Sequence, residues 1–288
     1  MRRMTDVMML ISLILVSSVI CITPGNAVAD SLKQDVKDPA ASLTTFREWT
    51  VKRMLSWARP GRSFHPPAKE SFEDGRDRYG EIADSVRDVV YDTNERPIFG
   101  GRYGRAKTMA LILAISLFES GFRKDVDKNV GKLARGDGGK SWCLMQIQLG
   151  TPILIDGDGR RSTYQNRDAP GVRESTPTRL VFTEKGVLFS NDQTTGSGGP
   201  DLIADRRLCF RAGLRIIRKS FSACRRLPMM ERLSAYASGN CDGGREASKK
   251  RVGAAIRWVN ASRPPLPDAD VMSFLKTPEE GIVSTRFP

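Results

Sequence analysis

Glu119 follows directly on Met109–Phe118, an apolar run broken only by Ser116, and opens the stretch Glu119-Ser-Gly-Phe122. A carboxylate at the end of a buried helix loses hydration, which penalises its ionised form. The negative end of a helix dipole pushes in the same direction. Either a cation pairs with such a group, or its reluctance to ionise is put to use. A carboxyl that keeps its proton near neutral pH is what general-acid catalysis requires.

The other chemically capable residues narrow the choice. His65 is the sole histidine and sits in Ser63-Phe-His-Pro-Pro67, where it reads as a surface loop residue. Ser-His-Asp and Cys-His triads, and histidine-rich metal enzymes, are therefore poor fits. Of five cysteines, Cys21 lies in an N-terminal apolar leader, which leaves Cys143, Cys209, Cys224 and Cys241. Four cysteines in an exported chain read as two disulfides with three possible pairings. Cys224–Cys241 with Cys143–Cys209 is the preferred pairing, and the shorter loop would contribute roughly 3 kcal/mol. A zinc site competes poorly, because no CxxC pair occurs and His65 is remote. Asp156-Gly-Asp-Gly159 suggests a calcium loop but lacks the third acidic position and the closing glutamate, so it reads as a turn. No cofactor and no metal are expected. Asp125, Asp127 and Asp137 fall in a polar stretch and read as surface charges or turn residues rather than a second catalytic acid.

Elements able to position Glu119 can be placed around it. The chain of 288 residues has room for one substantial core plus an accessory region. Residues 1–29 read as a signal peptide, with Arg2 and Arg3, an apolar stretch from Val7 to Ile22, and Ala27-Val28-Ala29 as a cleavage site. An uncleaved N-terminal anchor is the other reading. Export to the periplasm or beyond the cell follows. The net charge is +13, and +12 once residues 1–29, with two arginines and one aspartate, are set aside. That suits an anionic partner such as cell wall or nucleic acid, or plain solubility.

Residues 30–95 read as an N-terminal helical accessory region, with one helix carrying Leu43, Phe46, Trp49, Met54, Leu55 and Trp57 and another over Ser71–Val90. The central helix spans about Arg105–Glu119; its apolar residues go all round, so it belongs in the core, and Gly121 ends it. Residues 151–200 read as a flap insertion with short strands at Leu180–Phe182 and Gly186–Phe189. Helices resume over Ile203–Cys224, Met229–Tyr236 and Arg245–Val259. Residues 263–288 form a Pro-rich C-terminal tail, expected to be loosely ordered. The fold class is mainly α, with a loop and short β-hairpin insertion.

Three segments in order carry a resemblance: Glu119-Ser-Gly-Phe122, Ser141-Trp-Cys-Leu-Met-Gln-Ile147 and Leu233-Ser-Ala-Tyr-Ala-Ser-Gly239. Over about residues 96–260 the chain resembles the catalytic domain of the soluble lytic transglycosylase family, within the lysozyme-like superfamily. That family shows E-S-x-F, G-L-M-Q-[IL] and A-Y-N-A-G in this order. The resemblance implies an α+β lysozyme-like catalytic domain over residues 96–262, acting on peptidoglycan glycan strands. Glu119 would protonate the glycosidic oxygen between N-acetylmuramic acid and N-acetylglucosamine, then act as base while the muramic 6-hydroxyl closes an anhydro ring. Gln146 would hydrogen-bond the sugar or shape the cleft, and Tyr236 would fix the Glu119 carboxyl. Met145 would line the groove or pack in the core, and Ser120 would orient Glu119 or support the turn. Trp142 would stack on a sugar or serve packing.

This sequence departs from the pattern at Cys143, where a small glycine is usual, and at Ala237, where asparagine is expected. The implied protein is a monomeric lyase with an undefined envelope or secretion-apparatus partner. One carboxylate suffices for substrate-assisted chemistry; a second acid facing the cleft would favour a muramidase that hydrolyses the same bond. A non-catalytic wall-binding protein is the reading outside the enzymes. Nucleic acid is not expected as a partner, because the basic residues are dispersed rather than clustered with aromatics.

Overall fold

A computed structural model describes residues 38–276 apart from 62, 64, 65, 132, 150–153, 156–160, 163–177 and 185. The leader, His65 and the Asp156–Gly159 turn lie outside the described residues. The order is α1 (Pro39–Trp57), α2 (Phe72–Tyr91), α3 (Gly104–Ser120), α4 (Lys124–Asp127), β1 (Ser141–Trp142), β2 (Ile147–Gln148), β3 (Leu154–Ile155), β4 (Arg161–Ser162), β5 (Arg179–Thr183), β6 (Gly186–Ser190), α5 (Gly199–Ala204), α6 (Arg206–Ala223), α7 (Ser234–Ser238), α8 (Arg245–Ala261) and α9 (Asp268–Lys276). The described part is mainly helical, and its strands form three antiparallel pairs, β1–β2, β3–β4 and β5–β6.

The helices start where local chemistry allows. Asp38 caps α1 by accepting the Ala40 N–H at 3.0 Å, with Pro39 fixing the first helical φ. Ser71 caps α2 through the Asp74 N–H at 3.0 Å, and Glu73 and Asp74 face the positive end of that helix. On α6, Asp205 accepts from the Arg207 N–H at 2.8 Å.

Helix α3 is the axis of the core. Met109, Leu111, Ile112, Leu113 and Ile115 are wholly buried, which at ~2 kcal/mol per side chain gives on the order of 10 kcal/mol. It packs against α8, α2, α6 and α9. The region expected to be accessory contributes to this same core: Phe46, Val51, Tyr79, Ile82 and Val86 are buried with the α3 residues. Trp49 stacks on Trp258 of α8 with ring centroids 4.6 Å apart, and its Nε1–H donates to Ser262 Oγ at 3.0 Å.

Two expectations are corrected. The tail is not loose up to residue 276: Leu266 and Val271 are buried, and α9 docks on the core. Its Asp268 accepts the Arg105 N–H at 2.7 Å, the Ala106 N–H at 3.2 Å and the Tyr91 phenol at 2.9 Å. The core helix is thus capped by a residue more than 160 positions downstream.

Asp125 and Asp127 are not surface charges either; both are buried. Asp127 accepts a two-pronged pair from Arg206 at 2.8 and 2.7 Å, since a carboxylate removed from water needs such compensation. Arg78 pairs with Glu70 through two bonds of 2.9 and 2.5 Å and also donates to the Phe122 carbonyl at 2.9 Å. Helix α2 therefore grips the chain three residues beyond Glu119. Both disulfides of the preferred pairing are present, Cys143–Cys209 and Cys224–Cys241.

Candidate active site

Glu119 lies in the last turn of α3. Gly121 follows in the left-handed conformation at φ 60°, and its N–H closes the helix on the Leu117 carbonyl at 2.9 Å. The Glu119 side chain keeps 22% of its exposure and opens into a cleft of about 170 Å³. Asp137, Gln146, Ile147, Phe189, Ile216 and Tyr236 share that cleft. The space is too small to enclose a whole ligand, for which ~300–1,000 Å³ is usual.

Burial is the chief influence on Glu119 and pushes its pKa upward. The Arg251 guanidinium pulls it down, Asp137 pushes it up, and the net result is upward. Arg251, from α8, donates Nη2–H to Glu119 Oε1 at 2.5 Å. Its side chain is 13% exposed, and its Nη1 is buried without a hydrogen-bond partner. The unpaired nitrogen is a cost of holding the guanidinium against Glu119.

The cleft wall is a turn held in an uncommon backbone form. Cys143 and Gln146 have φ of 57° and 46°, and Asp137 has 51°. Non-glycine residues in this region carry a cost of roughly 1–2 kcal/mol each, so the surroundings must enforce it. The Cys143–Cys209 bridge ties the turn to α6. Gln146 adds to this: its Oε1 accepts the Gly136 N–H at 2.8 Å, and its Nε2–H donates to the Cys143 carbonyl at 3.0 Å. A Cβ at Gly136 would lie 2.8 Å from that Oε1, so a side chain there would require the Gln146 amide to shift. Asp137 is exposed, and its Oδ2 accepts the Ser141 hydroxyl at 2.6 Å.

The residues singled out from the sequence separate into groups. Glu119, Gln146 and Tyr236 face one cleft, and Gln146 shapes it through its backbone contacts. Tyr236 is placed beside Glu119 but does not fix it through its phenol proton. That proton goes to the Met145 carbonyl at 2.8 Å, and burial, then the nearby Glu119, hold the phenol well above its ordinary pKa. The group on the Glu119 carboxylate is Arg251.

Met145 does not line the groove. It is fully buried, takes the Ser116 hydroxyl on its sulfur at 3.2 Å and packs on Gly213 of α6. Ser120 supports the helix end, donating to the Ser116 carbonyl at 2.7 Å. Trp142 packs: the Arg135 guanidinium sits 4.4 Å from its ring centroid, and Gly199 abuts the ring. Asp137, expected outside the cleft, is inside it, and its proximity to an expected catalytic loop was the available signal. Arg251 carried no signal beyond being one basic residue among 46. Among the described residues no cluster of three or more His, Cys, Asp or Glu is arranged to hold a metal ion. No family model, no curated protein and no solved structure matches this chain.

Proposed function

We propose that this protein is an exported peptidoglycan lytic transglycosylase, cleaving between N-acetylmuramic acid and N-acetylglucosamine with Glu119 as acid and then base. One observation carries the reading: the Glu119 carboxyl sits at the lip of an open cleft, in surroundings that raise its pKa, beside Gln146 and Tyr236. Protonated Glu119 would donate to the departing glycosidic oxygen. The carboxylate left behind is stabilised by the Arg251 guanidinium at hand. It would then accept the muramic 6-hydroxyl proton as that oxygen closes the anhydro ring. The resemblance of the three motifs favours this outcome over attack by water.

Asp137 supports a second reading. A second carboxylate in the same cleft is the usual equipment for hydrolysis, with Asp137 activating water and Glu119 as acid. Mass spectrometry of muropeptides released from purified sacculi decides. Wild type yielding anhydromuramic ends, lost in Glu119→Gln and kept in Asp137→Asn, is the expected result. Reducing ends that disappear in Asp137→Asn would establish the muramidase instead. Release that is equal for wild type and Glu119→Gln would sink both.

A further inference from the structure

The hairpin β5–β6 and helix α6 enclose a second cavity of about 670 Å³. It is lined by four cations, Arg96, Arg215, Arg218 and Lys219, with Glu184 exposed at its edge. Two of the cations are committed to Glu95, whose side chain is 1% exposed. Arg215 Nε–H and Arg218 Nη2–H donate to its two oxygens at 2.8 and 2.7 Å. Arg215 also donates to the Thr183 and Gly186 carbonyls at 2.9 and 3.0 Å, which pins the hairpin to α6.

Arg96 and Lys219 stand apart from this arrangement. Among the described residues neither cation has an ion-pair partner, and Lys219 is half-buried, with burial pushing its pKa below the ordinary lysine value. A cation partly removed from water and given no counter-charge is stabilised by an incoming anion. Val187 and Leu188 add an apolar wall, Leu188 being exposed.

The cavity and the Glu119 cleft are built on two of the same elements. Strand β6 gives Phe189 to the cleft and Leu188 to the cavity; α6 gives Ile216 to the cleft and Lys219 to the cavity. We infer that the cavity between β5–β6 and α6 binds the carboxylate-bearing peptide branch of the glycan held in the Glu119 cleft, with Lys219 and Arg96 on its carboxylates and Leu188 on its alkyl side chains. The identity of the peptide rests on the proposed action on peptidoglycan. A bare phosphate would meet the cations but leave the apolar wall and most of the volume empty; a short acidic peptide matches all three.

The test uses the full chain and the peptide released from peptidoglycan by amidase digestion, with inorganic phosphate as the comparison. By isothermal titration, wild type binds the peptide, K219M weakens binding about tenfold, the loss expected for one charge-assisted hydrogen bond, and K219R restores most of it. An unchanged unfolding midpoint shows that K219M still folds; Lys219→Gln serves where it does not. In cleavage assays wild type has a lower KM for peptide-bearing than for amidase-stripped glycan, and K219M removes that difference. The inference is overturned when wild type fails to bind the peptide, when K219M binds it as wild type does, or when phosphate alone shows the Lys219 dependence. Because titration needs no turnover, an inactive Glu119 cleft would refute the proposed reaction without touching this result.

Discussion

Replacing Asp268 with alanine removes the cap of helix α3 from a distance. Two backbone N–H groups of α3 and the Tyr91 phenol end on its carboxylate, at 2.7, 3.2 and 2.9 Å. Loss of an N-cap costs about 1 kcal/mol, and the missing negative charge at the positive helix end about 0.5 kcal/mol more. The Tyr91 hydroxyl, on a buried ring, would be left without its acceptor, which costs about 1–3 kcal/mol. The sum is about 3 kcal/mol, or a fall in Tm of about 6–12 °C for a chain of this size. Asp268→Asn keeps Oδ1 for Tyr91 and Ala106 but loses the charge and the Oδ2 that accepts the Arg105 N–H, so about 1.5 kcal/mol is expected. Urea unfolding at pH 7 with the disulfides intact, followed by far-ultraviolet circular dichroism, measures both. A loss below 1 kcal/mol in D268A, or an asparagine variant less stable than the alanine one, would refute the idea that α9 secures α3.

Arg251→Met removes the group that lowers the Glu119 pKa, so that pKa climbs further above the ordinary glutamate range. The alkaline limb of the kcat/KM profile for glycan cleavage then moves to higher pH. A raised carboxyl pKa makes the folded state hold its proton longer than the unfolded chain does. Stability therefore falls as pH rises from the ordinary glutamate range through the raised value, and in R251M the fall extends to higher pH; urea midpoints across that range measure it. Serine at both Cys143 and Cys209, which are 66 residues apart, costs about 4 kcal/mol by loop-closure entropy, against about 3 kcal/mol for Cys224 and Cys241, which are 17 apart; urea titrations rank the two variants. Gly136→Ala would drive a methyl against Gln146 Oε1 and displace the amide that holds the cleft wall. Glycan cleavage is expected to drop at least about tenfold, while the Tm falls by only a few degrees.

Helix positions were legible because periodicity and caps coincide. The all-round apolar face of Met109–Ser116 announced a central helix, and Gly121 announced its end. The cysteine pairing was also readable, since few pairings were possible. What the sequence hid was pairing over distance. Asp127 looks like a solvated aspartate until Arg206, 79 residues away, is folded onto it. Pro-rich composition around Pro264–Pro267 suggested a loose tail, yet Asp268 just beyond it finds two unpaired N–H groups at the start of α3. Composition describes a chain's own preferences; a capping partner elsewhere overrides them. The site divides in the same way. Glu119 could be named from its place at the end of an apolar helix, and Gln146 and Tyr236 from the motif resemblance, whereas Arg251 becomes visible only when α8 is laid against α3. Met145 stands within its motif for volume: its side chain fills the space that Gly213 leaves open on α6.

The sulfur bridge between Cys143 and α6 gives the 143–146 turn a covalent restraint that a reduced chain lacks. A reduced chain keeps the 143–146 turn in its costly backbone form through hydrogen bonds alone, chiefly those of the Gln146 amide and of the Tyr236 phenol to the Met145 carbonyl. Such a chain carries every side chain of the cleft, but its wall is held less firmly until two thiols have been consumed. How firmly that wall stands is thus tied to the redox state of two sulfur atoms.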